Sequence, residues 1–305
     1  MYNPAAAVIG GKVALLYRAQ GTQRTRSNHH WRWPSVIGLA WSGDGIRFTT
    51  ESEPVFQPQE QWEEFGVEDP RVVDVGRGYA MTYTAYDGQH ARLAMTTTSD
   101  RSLHTWNSRF LLFPLEKRWT KAGALLAERV NGQYYLYFQM HELNPVSGET
   151  HVWLASSVDL HQWEVSPRPV LTTRRQHFDD HEIEPGPPPL LLPEGVLLIY
   201  NGAKVSRNAT GRTFGVGWAL FDRHDPSQVI ARCEQPFLRV EHSLERKGRA
   251  PHVSFQRFLR QRGRIQGTII AEGLVFFQGR WLLYYGMGDT AIGVAVGRSA
   301  SLFTL

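Results

Sequence analysis

The stretch "GYAMTYTAY", residues 78–86, carries three tyrosines, two threonines and a methionine between glycine-rich turns, with no helical spacing. It reads as a β-strand. Four further stretches share its pattern: "KVALLYRA" at 12–19, "QYYLYFQM" at 133–140, "GVLLIYNGA" at 195–203 and "RWLLYYGM" at 280–287. Each is followed by a second kind of strand, "IGLAWSGDGIRF", "ARLAMTTTSDRSLHTW", "HVWLASSVDLHQW", "FGVGWALFDRHDP" and "AIGVAVGRSA", centred on an apolar-Ala-apolar-small pattern. Aligned on Tyr17, Tyr83, Tyr137, Tyr200 and Tyr284, the copies are 66, 54, 63 and 84 residues apart.

That interval holds one four-stranded unit with variable loops. A small sheet cannot bury both faces alone, so repetition at this scale in an all-β chain implies radial stacking. The alternative, a two-sheet sandwich, gives no reason for an ordered strand pair to recur. The expectation is therefore an all-β fold, a five-bladed β-propeller forming one domain over residues 1–305. The tyrosine strands are expected as the innermost, near 13–19, 79–86, 134–140, 196–203 and 281–287, converging on a central channel.

Composition agrees with a folded chain, at 42% hydrophobic and 20% charged residues. The formal charge is only +4. Basic runs at Arg246-Lys247-Gly248-Arg249 and at Arg257 to Arg264 lack regular spacing and interleaved aromatics, so they read as solvated loops and not as a nucleic-acid surface. Cys233 is the single cysteine, which leaves a structural thiol and no disulfide. The N-terminus "MYNPAAAVIGGKVALLYRAQG" has neither a basic leader nor a long apolar run, so no membrane partner and a cytoplasmic location are expected. Homo-oligomerisation is left open.

Charged residues beside inner strands bring no benefit to a purely structural propeller. Arg18 ends the first, Glu68-Asp69-Pro70-Arg71 precedes the second, and Asp289 follows the last. Pro70 is expected to bias Asp69 towards an extended backbone. A second acidic run, "HFDDHEIEPGPPP", presents Asp179, Asp180, Glu182 and Glu184 before the fourth; the first two read as surface loop acids. Acids entering one funnel from two blades suit glycosidic bond cleavage, and aromatic residues at 12% offer faces for sugar rings. No paired-histidine spacing supports zinc beside His181, and no metal or other cofactor is expected.

Taken in order, "NPAA…YRA", "IGLAWSGDG", "GVEDPR", "GPPP…LLIYNGA" and "YYGMGDTAIGVA" resemble glycoside hydrolase family 130, whose members are inverting β-mannoside phosphorylases and β-1,2-mannosidases on a five-bladed propeller. The resemblance spans essentially the whole chain. It implies that Asp69 is the general acid, acting through a hydroxyl of the bound mannose, and that Asn3, Arg18 and Asp289 hold that mannose. Arg71 is implied to position Asp69, and Glu68 either to bind substrate or to order the loop.

Departures from the phosphorylase pattern are informative. Glu182 stands where phosphorylases carry a lysine, and Gln139 where they carry an arginine. Exchanging cation for anion turns attraction of a phosphate into repulsion, by about 1 kcal/mol even in water. A carboxylate there suits water activation, so the expectation is an inverting β-mannoside hydrolase with Glu182 or Glu184 as base. The alternatives are a phosphorylase holding phosphate as co-substrate through Lys121 or His141, a non-catalytic sugar-binding propeller, and an arabinan-type hydrolase.

Overall fold

All five tyrosine-bearing stretches are strands in the computed structural model, which describes residues 1–20, 25–27, 30–32, 34–113, 118–142, 149–205, 211–246 and 264–297. They are Lys12–Gln20, Tyr79–Tyr86, Tyr134–Glu142, Gly195–Val205 and Arg280–Met287. Each pairs antiparallel with a preceding strand, here called the lead strand: Tyr2–Ile9, Gly66–Asp74, Arg118–Leu125, Glu182–Pro185 and Ile269–Phe277. On its other edge each pairs antiparallel with Ser35–Ser42, Ala91–Thr98, His151–Ser157, Gly211–Phe221 or Ala291–Gly297. The fold is all-β with several sheets. Its described helical residues are two single turns, Gln61–Glu63 and Ser243–Arg246, and among the described residues no helix is long and apolar enough to cross a membrane.

The repeat tyrosines earn their regularity by packing. Tyr83, Tyr137, Tyr200 and Tyr284 are at most 1% exposed. A buried phenol needs a partner for its hydroxyl, and each finds one in an outer loop. Tyr83 donates to Glu63 Oε1 (2.5 Å), Tyr137 to the Pro226 carbonyl (2.7 Å), Tyr200 to Asp179 Oδ2 (2.6 Å) and Tyr284 to the Gly45 carbonyl (2.8 Å).

Among the described residues the core falls into five clusters, each shared by two neighbouring units. Ala5, Leu16 and Leu39 of the first unit pack with Val67, Met81 and Tyr83 of the second. Leu93 and Met95 meet Leu136 and Phe138; Tyr137 and Leu154 meet Val196 and Tyr200; Phe214 and Val216 meet Ile269 and Leu283. The fifth cluster brings Val275, Phe277 and Tyr284 of the last unit against Ala6, Val13 and Leu15 of the first. Ala5 and Ala6, adjacent on one strand, thus face opposite neighbours, as the two-residue side-chain period requires.

Across units lead strands meet one another, and the tyrosine strands Tyr79–Tyr86 and Arg280–Met287 meet the lead strand of the neighbouring unit. The lead strand Tyr2–Ile9 packs against the lead strands Gly66–Asp74 and Ile269–Phe277, and Arg118–Leu125 packs against Gly66–Asp74 and Glu182–Pro185. The expected innermost strands are therefore displaced by one. The cause is that a tyrosine strand buries apolar residues on both faces and so looks most central in sequence, whereas four of the five lead strands carry charged groups, among them Asp69, Lys121, Glu184 and Glu272. Of the basic runs, residues 247–263 lie outside the described residues.

Candidate active site

Four of the five lead strands are interrupted at one place, level with the repeat tyrosine of the strand they pair with. In the first unit pairing shifts between Tyr2 and Pro4, which faces Tyr17, and leaves Asn3 in the bulge. In the second it shifts between Glu68 and Arg71, leaving Asp69 and Pro70. In the third it shifts between Lys121 and Ala124, which faces Tyr137, and in the fifth between Ala271 and Gly273, which faces Tyr284, leaving Glu272. The fourth lead strand keeps its register with Pro185 facing Tyr200, so Glu184 takes the matching place. Bulges re-aim a side chain out of the strand's alternation. Asn3, Asp69 and Ala122 adopt left-handed backbone, with φ of 48°, 49° and 54°.

Asp69 is thus not extended, contrary to the bias of a following proline. Asparagine and aspartate tolerate the left-handed region better than other side chains, and the missing N–H of Pro4 or Pro70 costs nothing where the ladder is already broken.

These bulges converge on one charged cluster. Asp69 Oδ1 accepts hydrogen bonds from Asn3 Nδ2 at 2.8 Å and from Arg18 Nη1 at 3.1 Å. The same guanidinium donates from Nη2 to Glu68 Oε1 (2.5 Å) and from Nε to Ser35 Oγ (3.0 Å). Tyr2 lies beneath it, its ring centroid 5.1 Å from Arg18 Cζ. Lys121 Nζ stands 3.7 Å from Glu184 Oε2. Glu182 is ion-paired to Arg212 and accepts from Gln139 Nε2 at 3.4 Å. Asp289, itself at φ 52°, interacts electrostatically with Arg18, Asp69 and Lys121.

The protonation states follow from burial set against these partners. Burial opposes ionisation of Asp69, but Arg18, Arg71 and the Asn3 amide outweigh it and hold the carboxyl below its ordinary value. Burial pushes Glu68 up, with the Asp69 charge adding to it against Arg18. Glu182 is held low because Arg212 and Lys121 overcome its burial, whereas burial wins at Glu184 and raises it despite Lys121 and Arg71. Asp289 is also raised by burial. Two carboxyls two residues apart on one strand are thereby driven in opposite directions, the kind of split that separates acid from base roles.

Arg71 lies beneath the cluster and 2% exposed. It donates to the carbonyls of Asp69 (2.9 Å), Pro185 (3.0 Å) and Gly186 (3.1 Å), and its Nη2 is 3.2 Å from Glu272 Oε1. Gly186 permits this closeness, since a Cβ there would sit 2.8 Å from the Ile199 carbonyl oxygen.

All eight residues singled out from sequence, Asn3, Arg18, Glu68, Asp69, Arg71, Glu182, Glu184 and Asp289, belong to this cluster or its support. Asp179 does not, and it is no surface acid: fully buried, its carboxylate accepts from Arg174, Arg232 and Tyr200 in the body of the fourth unit. Asp180 Oδ1 accepts from the Val205 amide at 3.3 Å. The side chain of His141 lies outside the described residues. Arg212 and Glu272 are residues of this candidate site that the sequence does not single out. A signal for Glu272 exists: the five lead strands read Asn3-Pro4, Asp69-Pro70, Ala122-Gly123, Glu184-Pro185 and Glu272-Gly273, a second repeat 12 to 16 residues ahead of the tyrosine one.

Comparison with known proteins supplies the lineage. Residues 1–304 match the family model of glycoside hydrolase family 130 described as beta-1,4-mannooligosaccharide phosphorylase. The beta-1,2-mannobiose phosphorylase of Thermoanaerobacter sp. (strain X514) is 32% identical over 306 residues, covering 97% of this chain and 89% of that protein. A solved glycosyl hydrolase from Bacteroides ovatus is 32% identical, with TM-score 0.80 over 97% of this chain and 83% of its own. Another structure, 30% identical with TM-score 0.81 over 97% of this chain and 83% of its own, comes from work on family members that are glycoside hydrolases targeting beta-1,2 mannosidic linkages in Candida mannan. An endo-arabinase from Bacteroides thetaiotaomicron, at 11% identity and TM-score 0.66 over 100% of this chain and 95% of its own, shares the fold alone. The bulged lead strands, from Asn3 in the first unit to Glu272 in the last, all lie inside the family match: the chain belongs to glycoside hydrolase family 130.

Proposed function

We propose that this chain cleaves β-mannosidic bonds with inversion at the anomeric carbon, on a single five-bladed β-propeller spanning residues 1–305. The cyclic order of the five core clusters, with the last unit packed on the first, supports the blade count. Membership of the family makes the substrate a β-mannoside. Within the proposal Asn3, Arg18 and Asp289 bind the nonreducing mannose, and Asp69 delivers a proton to the leaving oxygen through a mannose hydroxyl. Arg18 and Asn3 hold Asp69 as its anion in the free site. Sugar hydroxyls that engage Arg18 and Asn3 relieve that hold, so binding of substrate raises the proton affinity of Asp69 when it is needed.

The mannosyl group must then pass to water or to phosphate. Kinship favours phosphate, because the matching curated relatives are named phosphorylases. That is a correction to the weight given above to hydrolysis, and it makes phosphorolysis the better supported alternative by relationship. One observation in this chain points the other way. The cations available on the acceptor side, Arg212 and Lys121, already pair with Glu182 and Glu184. A phosphate dianion entering there meets two carboxylates and no uncommitted positive charge among the described residues, whereas a water molecule meets a buried carboxyl, Glu184, with raised proton affinity. On that pairing we take water as the acceptor and Glu184 as its base, with Glu182 held ionised beside it.

Incubation with β-1,2- and β-1,4-mannobiose, with and without phosphate, tests both steps. The expected result is mannose without phosphate, released as the α-anomer. Mannose 1-phosphate formed only when phosphate is present establishes the phosphorylase reading, and no cleavage in either case removes both.

A further inference from the structure

Glu272 occupies, in the fifth unit, the position that Asn3, Asp69 and Glu184 occupy in the first, second and fourth. It is 1% exposed, so it touches no substrate. Its Oε1 meets Arg71 Nη2 at 3.2 Å, and its Oε2 has no hydrogen-bond partner among the described residues. A buried carboxyl with half its capacity unused is costly unless it serves a purpose elsewhere.

We propose that Glu272 is a positioning residue: through Arg71 it fixes the Asp69 bulge against the Glu184-Pro185-Gly186 segment, and so sets the spacing between the proton donor and the acceptor side. The inference rests on the function proposed above. Arg71 alone has five N–H donors in a rigid plane. Three carbonyls on two lead strands take up part of that fan, at Asp69, Pro185 and Gly186. Glu272 approaches from a third lead strand and closes it, so the guanidinium cannot rotate without breaking the tie. Three strands, each carrying a residue of the site, are thereby held at one point. Burial pushes the Glu272 carboxyl well above its ordinary value, with the nearby charges of Asp69 and Glu184 adding to it against Arg71. A neutral acceptor of the same shape should therefore serve.

The test compares Glu272→Ala, Glu272→Gln and Arg71→Lys in the full chain. The alanine variant is expected to lose tenfold or more in kcat at a temperature well below its melting point, with mannose affinity within threefold of wild type, since Asn3, Arg18 and Asp289 are untouched. Glutamine, which keeps the oxygen facing Arg71, should restore most of kcat; lysine at 71, a point donor without the planar fork, should not. An alanine variant with wild-type kcat overturns the proposal. So does one in which kcat and mannose affinity fall together. Amide hydrogen exchange gives a readout that needs no turnover: Glu272→Ala should speed exchange in 66–74 and 182–186 and leave 91–98 unchanged. If wild type cleaves no mannoside, the functional reading fails while the exchange pattern still decides whether Glu272 holds these strands. Unchanged exchange there overturns the tie itself.

Discussion

Asn3 donates from Nδ2 to Asp69 Oδ1 at 2.8 Å, across 66 positions of sequence, the same interval that separates Tyr17 from Tyr83. The two are therefore the same position of consecutive repeats, carried into contact by matching bulges. An amide beside the carboxylate supplies a donor without a second negative charge. Asn3→Asp replaces that donor by an acid, and two carboxyls at hydrogen-bond distance cannot both ionise easily. Its expected effect is an upward shift of the pH at which the free site titrates, read from the pH dependence of kcat/KM. Asp69→Asn should lower turnover about 10²-fold or more while leaving mannose binding measurable by calorimetry.

Asp179 makes the contrasting case. Two guanidiniums, Arg174 and Arg232, and the Tyr200 hydroxyl converge on its carboxylate, and none of them belongs to the site. Removing one partner of a buried ionic group leaves the others uncompensated, at about 3–5 kcal/mol. Asp179→Asn should lower the urea midpoint by a corresponding amount and leave kcat per folded molecule unchanged. A loss of kcat at full folding assigns Asp179 to the site after all.

What sequence made legible, and what it hid, follow the same division. The tyrosine repeat is readable because four of its five members, Tyr83, Tyr137, Tyr200 and Tyr284, lie in core clusters and recur with their neighbours. The convergence of the lead strands is hidden, since Glu68, Asp69, Glu182 and Glu184 look like loop residues when charge is taken for exposure. The burial of Asp179 is hidden for that reason too: its partners are Arg174, Arg232 and Tyr200, of which Arg232 is 53 residues away. The φ of Asp69 could not be read from Pro70, because a bulge overrides the local preference of a dipeptide. Glu272 is inconspicuous in sequence because "AEGLV" resembles no acidic run and only its alignment with Asp69-Pro70 gives it meaning.

Stability should respond to pH with opposite signs at neighbouring groups. Glu184 binds its proton more tightly folded than unfolded, so its favourable contribution is complete below its ordinary value of 4.5 and is lost as pH rises through the folded value. Asp69 is the reverse: its contribution is present above 3.8 and is lost as pH falls through its lowered folded value. Glu184→Gln should therefore flatten the decline of unfolding free energy above pH 4.5, and Asp69→Asn should flatten the decline under acid. Urea titrations at intervals from pH 3 to 8 measure both slopes. Identical slopes in wild type and Glu184→Gln contradict the burial effect assigned to that carboxyl.

The acceptor is decided most directly at Glu182. Its carboxylate neutralises Arg212, and Lys121 is committed to Glu184. Glu182→Lys removes one anion, adds one cation and frees Arg212 at a single step. Each unit charge at about 4 Å from a phosphate charge is worth about 1 kcal/mol in water and about 4 kcal/mol near a protein surface, so the swing should suffice to recruit the dianion. If water is the natural acceptor, wild type releases mannose whether or not phosphate is present, and Glu182→Lys begins to form mannose 1-phosphate. Glu184→Ala should lose about 10²-fold or more in turnover, and azide should restore rate as the inverted mannosyl azide, because a small anionic nucleophile needs no base. The pairing of Glu182 with Arg212 admits a different outcome only if the carboxylate swings away on substrate binding. In that event wild type itself forms mannose 1-phosphate, Glu184→Ala retains its rate with phosphate, and the water-activating role of Glu184 is wrong.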